Sequence, residues 1–283
     1  MSPKIDATRQ NFAAMRTVLL CPVCNKRLNL SGNSFRCPSG HCFDLSAKNY
    51  LNLAPHLKPP ALYDERLFAA RRAVFAAGFY APLAEALIEQ ALAFQQKVGR
   101  SITVLDAGCG EGYFAAAMLN ALGSDKCEML ALDLAKPGLL LAARLCRELK
   151  CLLADLARLP VPDNSLDIIL NVLSPANYQE FRRVLHPGGL LLKIAPGADY
   201  LQEVRQAFNL PPGEKSEAEK LLAAAASTYS AADLRYTKHV TSEQRKALLA
   251  MSPLAGHHTA PKADFTEVTI DLQILIAQFG ADY

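Results

Sequence analysis

The run Val104-Leu-Asp-Ala-Gly-Cys-Gly-Glu-Gly-Tyr-Phe114 constrains the fold more than any other stretch of this chain. The segment from Ser101 to Leu105 is short and apolar and reads as a buried parallel strand, while Tyr113 onward (Phe-Ala-Ala-Ala-Met-Leu-Asn-Ala-Leu) is strongly helix-forming. Between them lie Gly108, Gly110 and Gly112, which let the backbone take dihedrals that other residues avoid and let a ligand lie against it. A strand-to-helix turn of this kind also presents the first amides of the helix to that ligand.

The pattern is Asp-x-Gly-x-Gly-x-Gly, with an acid at the strand end, and it differs from the Gly-x-Gly-x-x-Gly spacing that seats a dinucleotide pyrophosphate. It resembles motif I of the class I S-adenosylmethionine-dependent methyltransferases. Asp106 and Glu111 would repel a pyrophosphate, whereas a ligand without phosphates wants carboxylates near its ammonium and ribose. A second strand, Cys127 to Leu132, ends in Asp133, where a carboxylate could accept both ribose hydroxyls. A third ends at Leu153-Ala-Asp155, where an acceptor could read the adenine amino group.

From Arg100 onward strands and helices alternate: strand 101–105, helix 112–122, strand 127–132, helix 137–148, strands 150–154 and 166–171, helix 176–184 and strand 189–195. Tyr236–Thr241 and Glu267–Phe279 supply two last strands. Apolar strands alternating with helices imply a doubly wound, mostly parallel α/β sheet covered on both faces, with its ligand at the carboxyl ends of the first strands. Asp64 to Gln96 reads as two amphipathic helices separated at Gly78. A chain of 283 residues, 51% of them hydrophobic, accommodates one such domain and a smaller appendage. No apolar run is long enough to span a membrane, and Met1-Ser-Pro-Lys-Ile-Asp is no signal peptide, so a cytoplasmic protein is expected. A net charge of +3 is too small to argue nucleic-acid binding by itself.

The eight cysteines divide unevenly. Cys109, Cys127, Cys146 and Cys151 are scattered through the α/β region and read as small hydrophobes. Cys21, Cys24, Cys37 and Cys42 cluster with His41 in the spacing C-x2-C-x12-C-x3-H, or C-x4-C at its end. In a cytosolic context such clustering means metal before disulfide. Two tight turns, the second relieved by Gly40, form a tetrahedral cage in which Zn²⁺ bound by three thiolates and one imidazole is closed and structural. His41 is favoured over Cys42 as the fourth ligand.

The two motifs together suggest a family. The knuckle Cys-Pro-x-Cys…Cys-Pro-x-x-His-x-Phe-Asp, then Tyr50-Leu-Asn-Leu53, Ala70-Arg-Arg72, Gly78-Phe-Tyr80 and Leu-Asp-x-Gly-Cys-Gly-Glu-Gly-Tyr, resembles the 23S rRNA (guanine-N1)-methyltransferases of the RlmA type. Leu185-His-Pro-Gly-Gly-Leu-Leu-Leu-Lys-Ile-Ala-Pro-Gly197 and Ala247-Leu-Leu-Ala-Met-Ser-Pro253 extend the resemblance from Leu20 over nearly the whole chain. It implies a class I, Rossmann-like methyltransferase fold with an N-terminal zinc module. It places zinc ligands on Cys21, Cys24, Cys37 and His41, and cofactor contacts on Tyr80, Gly110, Glu111 and, where familiar members carry a histidine, Tyr200. With Asp106, Gly108, Gly112, Asp133 and Asp155 these complete the expected cofactor set. The chain departs from the familiar pattern at Asn171-Val-Leu-Ser-Pro175, on the substrate side.

The implied reaction moves a methyl group from S-adenosylmethionine to N1 of an unstacked guanine in a hairpin loop of large-subunit rRNA. No residue stands out as the acceptor of the N1 proton, so the catalytic group is unassigned. Residues 16–60 are expected to form the zinc and RNA-recognition module and 61–283 the methyltransferase domain, with 61–99 as linking helices, Pro55–Pro60 as a linker and the residues through Met15 as a mobile tail. Arg16, Lys26, Arg27, Arg36, Lys48 and Lys58 oppose Asp44 alone and could grip phosphates, with Phe35, Phe43 and Tyr50 stacking an exposed base. A homodimer is left open. Competing readings are a small-molecule methyltransferase with a zinc lid and a non-catalytic RNA-binding protein with a relic cofactor fold.

Overall fold

The apolar strands alternate their side chains between two helix-covered faces, and this alternation sets the architecture. The computed structural model describes residues 3–54, 56–57, 63–214, 216–252 and 264–280. Helix α1 (Pro3–Ala13) precedes five short strands, β1 (Leu19–Leu20), β2 (Arg27–Ser31), β3 (Ser34–Arg36), β4 (Cys42–Ser46) and β5 (Tyr50–Asn52). Two helices follow, α2 (Glu65–Ala76) and α3 (Ala81–Val98), divided at Gly78 as expected. The α/β region then runs β6 (Ile102–Ala107), α4 (Tyr113–Leu122), β7 (Cys127–Asp133), α5 (Lys136–Leu145), β8 (Lys150–Leu153), β9 (Leu166–Val172), α6 (Tyr178–Val184) and β10 (Leu185–Pro196). It ends in α7 (Gln202–Ala207), α8 (Ala218–Ala225), β11 (Thr228–His239), α9 (Ser242–Met251) and β12 (Glu267–Gln278).

Among the described residues all the strands join one sheet, in the order β1-β2-β3-β4-β5-β8-β7-β6-β9-β10-β12-β11. Strands β5 through β10 pair in parallel, and β12 and β11 close the far side antiparallel. This is the doubly wound, mostly parallel α/β sheet expected from the sequence, extended at one edge by the small N-terminal module. One core, with Val104, Ile168, Leu170 and Leu192, lies against α3 and α4 through Leu83, Leu87 and Met118. The opposite core holds Leu105, Ile169 and Leu191 with Phe181 of α6 and Leu222 of α8.

The small module does not hang from the sheet by a tether. Tyr50, Leu51 and Asn52 pair in parallel with Cys151, Leu152 and Leu153, so β5 continues the sheet beyond β8. Leu28, Phe35, Phe43, Leu45 and Leu51 are buried in the same core cluster as Leu105 and Leu152. A module too small to build a core of its own thus borrows one. The Pro55–Pro60 linker, apart from His56 and Leu57, lies outside the described residues, as do Lys58 and Pro253.

Pro3–Ala13 form α1, which corrects the expectation of a mobile tail there. Its sequence is mostly polar and gives little helical periodicity, so its order comes from tertiary contacts. Phe12 is 2% exposed and meets the Phe35 ring edge-on at 6.1 Å. Asn11 donates to Asn49 Oδ1 and to the Leu149 carbonyl, each at 3.1 Å, and Lys150 Nζ donates to Asn11 Oδ1. Just beyond the helix, the Arg16 and Thr17 amides donate to the buried Glu128 carboxylate of β7 at 2.6 and 2.8 Å. Strand β11 also starts earlier than expected, because it follows β12 residue by residue from Thr228↔Gln278 to His239↔Glu267 while staying mostly exposed. Phe12→Ala should lower the unfolding free energy by about 3–5 kcal/mol in a urea titration. An unchanged midpoint would return α1 to the status of a tail.

Candidate functional site

At the carboxyl ends of β6 to β10, where the chain reverses its progress across the sheet between β6 and β9, there is a cavity of about 1270 Å³. Such a switch point is where open α/β sheets bind ligands. Of the nine residues expected to contact cofactor, Tyr80, Asp106, Gly108, Gly110, Glu111, Asp133, Asp155 and Tyr200 border it. Gly112 does not. It has φ +80°, and a Cβ there would lie 2.6 Å from Ala142 Cβ, so this glycine lets α4 pack against α5. Gly108, at φ +90°, has no room for a side chain either, because a Cβ would fall 2.0 Å from Ser174 Oγ on the loop after β9.

The carboxylates are buried in different circumstances. Asp106 is 1% exposed and its Oδ2 has no hydrogen-bond partner. Burial, with the negative charges of Asp133 and Glu111 adding to it, pushes this carboxyl up to about 8. Burial also raises Glu111 to about 7, against the opposing pull of Arg71. Asp133 accepts from the Gly110 amide through Oδ2 and from the Ala135 amide through Oδ1, both at 2.7 Å, so it braces the glycine turn as well as facing the cavity. Burial moves its pKa upward too. Asp155 caps its own turn by accepting from the Ala157 amide at 2.9 Å. Three clustered acids, one with a bare buried oxygen, form a site built for a cation and hydroxyl donors.

Across the cavity the Tyr80 and Tyr200 hydroxyls meet at 2.5 Å. Burial raises both, Tyr80 well above the ordinary phenol range. Phe75 stacks on Tyr113 at 4.8 Å and meets Tyr80 edge-on at 4.9 Å, which gives the cavity an aromatic wall. Arg71 is half-buried and borders the cavity, with its guanidinium 5.5 Å from the Phe68 ring centroid, whereas Arg66 and Arg72 stay exposed. A second cation also lines the cavity. Lys193, in β10, is 5% exposed and interrupts the apolar run Leu190-Leu-Leu-Lys-Ile-Ala195. That interruption was visible in the sequence, but which face the lysine takes depends on strand register.

In the N-terminal module the ligand atoms of Cys21, Cys24, Cys37 and His41 all lie within 4.8 Å of one another. Cys21 Sγ and Cys37 Sγ stand 3.6 and 3.3 Å from His41 Nδ1, and Cys24 and Cys37 sulfurs are 3.6 Å apart. Tetrahedral Zn²⁺ with bonds of roughly 2.0–2.3 Å needs ligand edges of about 3.5–3.8 Å, so the quartet fits the ion. The Cys24 thiol sits low, at about 6, chiefly because the Lys26 backbone amide donates to it. Cys42 is exposed, with its sulfur 3.9 Å from Asp44 Oδ1, outside the cage. Lys26, Arg27, Arg36 and Lys48 are exposed, and among the described residues none forms an ion pair. Phe35, Phe43 and Tyr50 are 4, 7 and 8% exposed, which corrects the expectation that they stack a base; Phe35 and Phe43 fill the core shared with Leu105 and Leu152, and Tyr50 packs into the core on the other face of the sheet. Arg16 is tied down through its guanidinium, which donates to Ser101 Oγ at 2.5 Å.

Known proteins divide the chain in the same way. A family profile described as "RlmA, N-terminal" matches residues 19–58, and one described as "Methyltransferase domain" matches 104–189. A Bacillus subtilis (strain 168) protein, named provisionally as a 23S rRNA (guanine-N1)-methyltransferase, is 37% identical over 90% of this chain and 95% of its own. The 23S rRNA (guanine(748)-N(1))-methyltransferase of Streptomyces fradiae is 33% identical over 84% of this chain and 86% of its own. By contrast, the malonyl-[acyl-carrier protein] O-methyltransferase of Serratia marcescens is 38% identical over only 40% of this chain. Of these three, the first two match over more than four-fifths of both chains, and by that similarity this chain belongs to the 23S rRNA (guanine-N1)-methyltransferase family.

Proposed function

We propose that the chain transfers a methyl group from S-adenosylmethionine to N1 of a guanine in a hairpin loop of 23S rRNA, with a structural zinc in its N-terminal module. The reading rests on one observation above the others: a cavity with an unpartnered buried carboxylate and a metal module with an unpaired basic face share one sheet. When bound, S-adenosylmethionine supplies a methyl group already activated by its sulfonium. Asp106 Oδ2 would accept from the methionine ammonium, Asp133 from the ribose hydroxyls and Asp155 from the adenine amino group. The Gly108–Gly110 backbone would let the ligand approach, and Glu111, Tyr80 and Tyr200, which border the same cavity, would contact it. Excluding water and orienting the base account for most of the rate gain in such a displacement.

N1 lies on the Watson–Crick edge, so a base free to unstack in a loop is the fitting target. The basic outer face, with Arg27 on β2 and Arg36 on β3, suits the phosphates flanking that loop. A protein that methylates ribosomal RNA would act in the cytoplasm; among the described residues no helix is long and apolar enough to cross a membrane. A homodimer would find an unpaired strand edge at β11.

The pKa of Asp106 makes cofactor binding pH-dependent. In the free protein its carboxyl is raised to about 8 and is mostly protonated at pH 7. An ammonium favours the ionised form, so binding lowers that pKa, releases a proton, and weakens as pH falls below 8. Asp106→Asn should weaken S-adenosylmethionine about 10–100-fold, the span of a charged hydrogen bond, and remove its share of the proton release. Calorimetry in buffers of different ionisation enthalpy reads both, and unchanged affinity and proton release would remove Asp106 from the site.

For the module, Cys24→Ser should lose stoichiometric zinc and disorder β1–β4. Metal analysis that finds full occupancy in this variant, or in His41→Ala with Cys42 intact, would exclude the proposed ligand set. Replacing Lys26, Arg27, Arg36 and Lys48 by glutamine should weaken binding to a 23S rRNA hairpin and flatten its salt dependence, by about 0.7 in log–log slope for each phosphate no longer neutralised. Cofactor affinity should hold, because charges beyond about 10 Å are screened at ordinary ionic strength. An unchanged salt slope would favour a small-molecule substrate.

A further inference from the structure

Lys193 is buried without a counterion. Its neighbours along β10 are leucine and isoleucine, and among the described residues no carboxylate pairs with it. In register it stands beside Asn171 of β9. Its Nζ donates to Asn171 Oδ1 at 2.7 Å and to the Ser174 carbonyl at 2.6 Å. The orientation of Asn171 is fixed from its other side, since Nδ2 donates to the carbonyls of Ala107 at 2.8 Å and Pro175 at 3.0 Å. Oδ1 must therefore face the lysine.

An ammonium has three N–H groups and a full charge, and this site offers two acceptors and no anion. A neutral amine has two N–H groups and one lone pair. Two acceptors satisfy the two N–H groups and leave the lone pair unengaged on a residue that borders the cavity. Burial agrees with this, lowering Lys193 to about 8. The loop it grips is the one after β9, where Leu173 takes φ +50° and Ser174 lies against Gly108. Lys193 thus holds the loop that borders the glycine turn while offering a base beside it.

We propose that Lys193 Nζ, held by Asn171 and Ser174, accepts the N1 proton of the target guanine, an assignment that rests on the function proposed above. N1 of neutral guanine has no free in-plane pair until its proton leaves. The N1–H bond breaks as the proton passes to the Nζ lone pair, and the N1 pair forms the bond to the methyl carbon. The carbon–sulfur bond breaks with its pair returning to sulfur. The products are N1-methylguanine, a neutral thioether and a lysine ammonium, which returns its proton to water.

Other titratable groups around it are Asp106 at the end of β6, Asp155 after β8, Tyr178 on α6 and Glu217 ahead of α8, all bordering the cavity. Glu219 of α8 accepts from Gln273 of β12 at 2.7 Å. Glu111, raised to about 7, Asp133 and Arg71 also border the cavity, and saturating cofactor holds Asp106 ionised, so the limb near pH 8 is assigned to Lys193 by its loss in the lysine variants.

Two readouts on the full chain test the assignment. In ¹³C NMR of lysine Cε carbons, the signal missing from Lys193→Met should titrate near pH 8, apart from the surface lysines. Titration together with the surface lysines would overturn the proposal without reference to any substrate. In single-turnover methylation of a 23S rRNA transcript at saturating cofactor, the parent rate should rise with pH and level above about 8. Lys193→Met and Lys193→Arg should keep cofactor affinity within a few-fold and lose about 10²–10⁴ in rate, the range of general-base catalysis. The methionine variant should lose the plateau. Parental rate in either variant, or loss of cofactor binding along with rate in both, would assign Lys193 to packing and overturn the proposal alone. A parent chain inert on 23S rRNA would overturn the functional reading and this assignment together.

Discussion

The parallel pairing of Tyr50–Asn52 with Cys151–Leu153 is the contact on which the rest of the molecule depends. Through it a module with too few apolar residues to fold alone becomes the outer part of a large sheet, and its inward side chains join the core that contains Leu105 and Leu152. The same pairing fixes the metal-binding turns relative to the cavity at the carboxyl ends of the strands. Helix α1 reinforces the junction from one side, with Phe12 on Phe35 and Asn11 bridging Asn49 to Leu149. The metal-binding turns and the cavity are therefore held at a set distance by backbone hydrogen bonds.

Within the cavity the governing quantity is unpaired charge. Burial raises Asp106 and Glu111, and the bare Oδ2 of Asp106 is a cost that a cationic ligand would offset. Across the strands, Lys193 is lowered by the same burial and is satisfied as an amine by Asn171 and Ser174. A low-dielectric cavity pushes its acids up and its lysine down, so that burial disfavours the charged form of each group until a charged ligand enters. This is a pattern associated with acid–base chemistry near neutral pH.

Much of this was legible in the sequence, for physical reasons that differ by element. Alternating glycines between an apolar strand and an alanine-rich helix admit few backbone paths, so the turn at Gly108–Gly112 could be read directly. The metal quartet was legible because four ligands at C-x2-C-x12-C-x3-H spacing have few other uses. Helix α1 was not, since its polar sequence has weak periodicity and its order depends on distant partners. Nor was the burial of Phe35, Phe43 and Tyr50, which follows from a strand pairing between residues about a hundred positions apart. Arg71 and Lys193 carried visible charges, but their facing toward the cavity is set by helix rotation and strand register.

The proposed transfer carries a methyl group from the cavity to N1 of one guanine in 23S rRNA. Its most direct test is nucleoside-resolved mass spectrometry of unmodified 23S rRNA incubated with the purified chain and S-adenosylmethionine carrying a labelled methyl group. Label is expected in 1-methylguanosine alone, confined to a single hairpin-loop fragment. Absence of label in the rRNA, or label on a different nucleoside, would contradict it.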